Sequence, residues 1–139
     1  MRIKDLIGYI KMEERVSKSE IRKIYRKSMI YIDLFGIPVY FTKSKEEFTK
    51  MCIWSKLEAK TDVDGRAMYN INDDGTVMIY LGWFTDNVGT LAHECVHAAK
   101  YISDAIGHET SYKDEIVPYI TGYLVSQCLD KVKAQNAVI

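Results

Sequence analysis

No run in this 139-residue sequence approaches the roughly eighteen apolar residues needed to span a bilayer, and the N-terminus lacks the core of a signal peptide. Those absences argue against a membrane-spanning helix and lead to the expectation of a cytoplasmic protein. Cysteine is scarce: Cys52, Cys95 and Cys128 are far apart and odd in number. They have neither the density of a disulfide framework nor the paired spacing of a zinc knuckle, and they read as reduced core residues. Net charge is missing as well, with 19 basic residues against 19 acidic ones. There are no internal repeats and no low-complexity segment. What remains is 47% hydrophobic and 27% charged residues, an ordinary globular composition and enough chain for one domain with a sizeable core.

Against that plain background stands His93-Glu94-Cys95-Val96-His97. In a helix, positions i and i+4 lie one turn apart on the same face, so both imidazoles can converge on one metal ion. Glu94 projects roughly 100° round the helix from His93, within reach of a water at the metal without ligating it. Periodicity supports the helix. Val88, Leu91, Cys95, Ala99, Ile102 and Ile106 cluster on the side opposite His93, giving an apolar face across from a His-His-Glu face. Two neutral nitrogen ligands with a carboxylate beside an open position are what a zinc hydrolase requires. The competing interpretation is a pair of partly buried histidines bonded to neighbours, with Glu94 solvated.

Two histidines need a third protein ligand. Six residues past His97 stands Ser103, and Lys100 occupies the place of a glycine, which excludes the three-histidine pattern of the metzincins. The remaining source is a following helix, expected from Tyr112 to about Lys133 after a break at Gly107, with Ser111 and Asp114 forming a capping-box-like start. Glu115 lies just inside it, eighteen residues after His97, and is the expected ligand; His108 and Glu109 are reserves and Asp104 a weaker one. Gly122 and Ser126, at i+7 and i+11 from Glu115, share its stripe, and their small size is expected to let this helix approach the histidine helix closely. A donor for a developing oxyanion is also expected. Tyr112, Tyr119 and Tyr123 fall within about 80° of Glu115, and His108 precedes them.

The stretch Gly89-Thr90-Leu91-Ala92-His93-Glu94-Cys95-Val96-His97-Ala98-Ala99, with Glu115 through Leu124 downstream, resembles the gluzincin branch of zinc metallopeptidases. More closely, it resembles small uncharacterised metallopeptidase-like proteins encoded by tailed bacteriophages. The likeness covers roughly residues 64–127, including the hairpin before the motif. It implies a minimal zincin-like α+β domain with Zn2+ on His93, His97 and Glu115 and Glu94 as general base. It also implies a peptide or protein substrate, and the cytoplasm of a producing or infected cell. Two features depart from the pattern. Many gluzincins carry an acidic residue four positions after the glutamate ligand, where it orients a histidine; here Tyr119 stands there, and a phenol does not raise ligand basicity as a carboxylate does. The larger enzymes also have a further domain closing over the substrate, for which this chain has no room.

The rest of the chain organises around the motif. Residues 1–35 read as helical, broken at Ser17, where Ser17 and Glu20 form a capping box. Ile21, Ile24, Tyr25, Ile32 and Leu34 give the second segment an apolar side, and Gly36 ends it. Residues 37–41 read as a short strand near a sheet edge, because Pro38 cannot donate to a ladder. Ser44 and Glu47 cap a helix reaching about Ile53, followed by a polar connection from Lys56 to Gly65. Strands Arg66–Ile71 and Thr76–Leu81 flank Asn72-Asp73-Asp74-Gly75, a strong hairpin signal. In the second strand Val77, Ile79 and Leu81 alternate with Met78 and Tyr80, so both faces are apolar. It fits either an edge strand that aligns an extended peptide by backbone hydrogen bonding or a central strand under a helix. The expected order is helices, a small antiparallel sheet, then two metal-site helices.

Charge is unevenly placed. Residues 1–27 hold nine basic residues against four acidic, and the remainder holds ten against fifteen. Arg22, Lys23, Arg26 and Lys27 concentrate on one helix, where a solvated face is the ordinary explanation; no groove-reading motif or stacking series points to nucleic acid. Two function classes follow. One is a small zinc metallopeptidase; the other is a non-catalytic binding module with a structural or vestigial zinc site, working through its basic helix or an exposed strand.

Overall fold

The computed structural model describes residues 16–30, 36–107 and 115–137. Within them the fold is α+β: helices α1 (Lys18–Ser28), α2 (Lys45–Trp54), α3 (Val88–Ala105) and α4 (Ile116–Ala137), and strands β1 (Met29–Ile30), β2 (Val39–Thr42), β3 (Gly65–Ile71) and β4 (Val77–Trp83). The sheet order is β1-β2-β4-β3. β1 pairs antiparallel with β2, and β3 with β4, while β2 runs parallel to β4, so the sheet is mixed rather than purely antiparallel.

Local chemistry places several boundaries. Ser17 Oγ accepts from Glu20 N at the start of α1, and Ser44 Oγ accepts from Glu47 N at the start of α2, each satisfying an amide with no partner inside its helix. β3 and β4 are joined through Asn72–Thr76 and pair from Gly65↔Trp83 to Ile71↔Val77. The expected continuation of α1 to residue 35 does not occur. The helix stops at Ser28, and Met29–Ile30 turns into a strand on β2, exchanging a helical turn for sheet pairing. The helix expected before Ser17, and Ile32 and Leu34, lie outside the described residues.

Two layers of helix sandwich the sheet. Val39, Phe41, Ile79, Leu81 and Trp83 meet Leu91, Cys95, Ala98, Ala99 and Ile102 of α3, with Ile120, Leu124 and Cys128 of α4 behind. On the opposite face Tyr80 meets Ile21 and Ile24 of α1 and Phe48, Met51 and Cys52 of α2. The two-sided apolarity of β4 is thereby explained: it is a central strand, covered on both faces. The strand over residues 37–41 is not at an edge either. β2 lies between β1 and β4, and Pro38 sits just before it, where its carbonyl accepts from Ile79 N at 3.0 Å.

Candidate metal and catalytic site

The site helix α3 starts at a tied corner. Asn87 caps it, Oδ1 accepting from Gly89 N at 2.8 Å and Thr90 N at 3.4 Å. Trp83 Nε1 donates to the Asn87 carbonyl at 2.8 Å. Lys43 Nζ lies 4.0 Å over the Trp83 ring and donates to Thr85 O at 2.7 Å and Asp86 at 2.8 Å. Two turns later Leu91, Cys95, Ala98, Ala99 and Ile102 are buried against the sheet, as the apolar periodicity requires, while Val88 at the first position is 49% exposed. His93 and His97 consequently face solvent.

Their Nε2 atoms are 3.2 Å apart, with the rings edge to face. A tetrahedral ion with bonds of about 2.0–2.1 Å to nitrogen holds two such atoms roughly 3.4 Å apart. The pair fits that chord, and also an N–H···N bond between complementary tautomers. Glu94 is only 9% exposed, yet its carboxylate makes no hydrogen bond or ion pair among the described residues. It lines the same hollow as the two imidazoles, a space of about 740 Å³ between α3 and the start of β3.

Gly65 eases that approach. A Cβ there would stand 3.0 Å from both Glu94 Cγ and Thr90 Cγ2, and 3.2 Å from the Gly82 carbonyl oxygen. A side chain there would force Glu94, Thr90 or the strand to give by a few tenths of an ångström, so glycine suits this close passage of β3 along the Glu94 side chain. Gly65 closes a polar connection in the sequence, and no local signal marks its role. Tyr101, half-buried at i+4 from His97, also lines the hollow; it is absent from the sequence-derived donors, and its helical spacing from His97 is the signal that marks it.

Those other phenols stand elsewhere. Tyr119 is 66% exposed and Tyr123 half-buried, and among the described residues neither lines the hollow. Tyr112, His108, Glu109 and the Ser111–Asp114 cap lie outside the described residues. Glu115 is exposed, immediately before α4, with its carbonyl accepting from Tyr119 N at 3.0 Å. Asp104 is exposed about two turns beyond His97. Among the described residues, no three His, Cys, Asp or Glu side chains gather into a group able to hold a metal ion.

The expected close approach through Gly122 and Ser126 is corrected by the structure. Both are exposed, and a Cβ on Gly122 would meet nothing within 4 Å. α4 instead packs through Ile120, Leu124 and Cys128, because that apolar stripe gains more from burial than a stripe of small residues. Cys52, Cys95 and Cys128 are free and buried, as expected of core thiols. No described helix is long and apolar enough to cross a membrane. Compared with known proteins, the chain matches no family model, no curated protein sequence and no solved structure.

Proposed function

We propose that this chain is a small zinc-dependent hydrolase acting on peptide bonds. One observation carries the reading: two imidazole nitrogens 3.2 Å apart, at a tetrahedral ligand spacing, share a hollow with the Glu94 side chain, whose carboxylate has no partner among the described residues. His93 and His97 would hold the ion; Glu115, which is not gathered with them into one group, is the third ligand on the sequence pattern alone. Zinc, when bound, supplies an acidified water and a polarised carbonyl. Glu94 takes the proton of the attacking water and delivers it to the leaving nitrogen. Its position in the hollow it shares with both imidazoles, beside Gly65, suits that task. Tyr101 is the phenol placed to donate to a developing oxyanion. A peptide would align along β3, the outermost strand beside the hollow.

The test compares zinc content and peptide turnover in four proteins. Wild type is expected to bind zinc and cleave. Glu94→Gln should keep its zinc and lose turnover by roughly 10²–10⁴-fold, the usual worth of a general base. His93→Ala and Glu115→Ala should lose zinc. If Glu115→Ala keeps zinc, the third ligand is another residue. Zinc-loaded wild type inert toward a broad peptide library favours the binding module with a vestigial centre. A chain that takes up no zinc leaves only the histidine pair bonded to itself.

A further inference from the structure

Beyond the histidine hollow β3 continues as the outermost strand of the sheet. On the side it shares with α3 this stretch carries Tyr69 and Ile71, 48% and 60% exposed. Facing them, α3 carries Tyr101, Asp104 and Ala105, and the rings of Tyr69 and Tyr101 lie 5.0 Å apart, centroid to centroid. With Val77 these residues enclose a second hollow of about 400 Å³, which shares Tyr101 with the first. Two phenols and three aliphatic side chains, Ile71, Val77 and Ala105, line it. Among the described residues that line it the one charge is Asp104, whose carboxylate makes no hydrogen bond or ion pair with the rest of them.

We propose that this hollow is a specificity pocket for a lysine or arginine side chain of an extended peptide lying along β3. The charge decides the occupant. A cationic side chain lays its methylene stem over the aliphatic lining and brings its head to the phenol faces and to Asp104. A leucine or phenylalanine would fill the trough but shield Asp104 from water with nothing in exchange, and a glutamate would be repelled. Spacing sets the position. Tyr101 and Asp104 lie about 6 Å and about 10 Å along the helix from His97, which spans two or three residues of extended chain at about 3.4 Å each. β3 runs from the histidine hollow toward this pocket, so a peptide antiparallel to it presents the cation on the amino-terminal side of the reacting bond. That last placement rests on the proposed hydrolase function; the pocket itself does not.

The probe is a set of end-blocked, fluorescently labelled Ser/Thr decapeptides whose one central residue is Arg, Lys, Leu, Phe or Glu. Binding is read by fluorescence polarisation on the full chain carrying Glu94→Gln, and cleavage on wild type. Arg and Lys peptides should bind roughly tenfold tighter than Leu, the worth of one exposed cation–π contact plus one surface ion pair. Asp104→Asn removes the ion pair and leaves the phenol faces, so the Arg preference should fall to about threefold, and Asp104→Lys should turn the preference toward Glu, with zinc content unchanged in both. Tighter binding of Leu or Phe, a cation preference undiminished by Asp104→Asn, or no binding by any member overturns the pocket. Cation-selective binding without cleavage keeps the pocket and removes the hydrolase; cleavage without selectivity does the reverse.

Discussion

Gly65 eases the close passage of β3 beside Glu94. Its replacement by alanine puts a methyl group 3.0 Å from Glu94 Cγ and from Thr90 Cγ2, with the Gly82 carbonyl behind at 3.2 Å. Side chains on a packed helix and a paired strand yield little, so Gly65→Ala is expected to cost about 1–3 kcal/mol, read as a lower denaturant midpoint. If it also displaces Glu94, turnover should fall further than stability alone explains. At Cys52 the chemistry is different. Burial pushes this thiol from its ordinary 9.0 up to about 12, against the pull of Arg66. Between those values the unfolded chain has lost a proton that the folded chain keeps, so stability falls as pH rises through the window. Tyr80, raised above its ordinary 10.0 by burial, adds to the fall at higher pH. The Cys128 thiol, hydrogen-bonded to Cys95 and buried, is raised too, so melting curves from pH 8 to 11 should show the decline and Cys52→Ala should reduce but not abolish the part below pH 10.

At the scale of elements, α3 is held in place by its first turn as much as by its core face. Asn87→Ala removes the acceptor for Gly89 N and Thr90 N and is expected to cost about 1 kcal/mol, with an unchanged denaturant slope. The Asp86 carboxyl nearby is drawn below its ordinary range by Lys43, so this part of the corner is retained at neutral pH and weakened only on strong acidification. β4 and α2 are joined to α1 by a hydroxyl cluster. Tyr80 lies 2.9 Å from the Tyr25 hydroxyl and 2.5 Å from Ser55 Oγ, which satisfies a polar atom inside the core facing α1 and α2. The caps at Ser17 and Ser44, the hairpin at Asn72–Gly75 and the helix through the two histidines were all legible in the sequence. Each is specified within a few residues, by one side-chain oxygen, one turn or one period of 3.6. The end of α1 was not legible, because Met29 and Ile30 leave the helix for a partner strand ten residues away.

At the scale of the whole molecule, α4 reports how its two faces divide. Leu124 is fully buried on the sheet side, and Leu124→Ala should destabilise by about 2–5 kcal/mol through the cavity it leaves. Gly122 lies on the exposed side with open space at its Cβ, so Gly122→Ala should be neutral or gain up to about 1 kcal/mol from helix propensity. A large loss at Gly122 would mean that this face packs against something after all; both variants are read by chemical denaturation.

By itself the sequence determined the His93-Glu94-His97 face, the caps, the hairpin and the apolar stripe of α3, because periodicity and capping chemistry act over a few residues. Only the tertiary structure decided that β4 is central and β3 outermost, that Gly65 gives β3 its passage beside Glu94, and that Tyr101 rather than Tyr119 or Tyr123 joins the histidines. The reason is physical. A strand with two apolar faces fits an edge or a centre equally well until two helical layers compete to cover it, and burial of those layers, not any local preference, settles which residues meet.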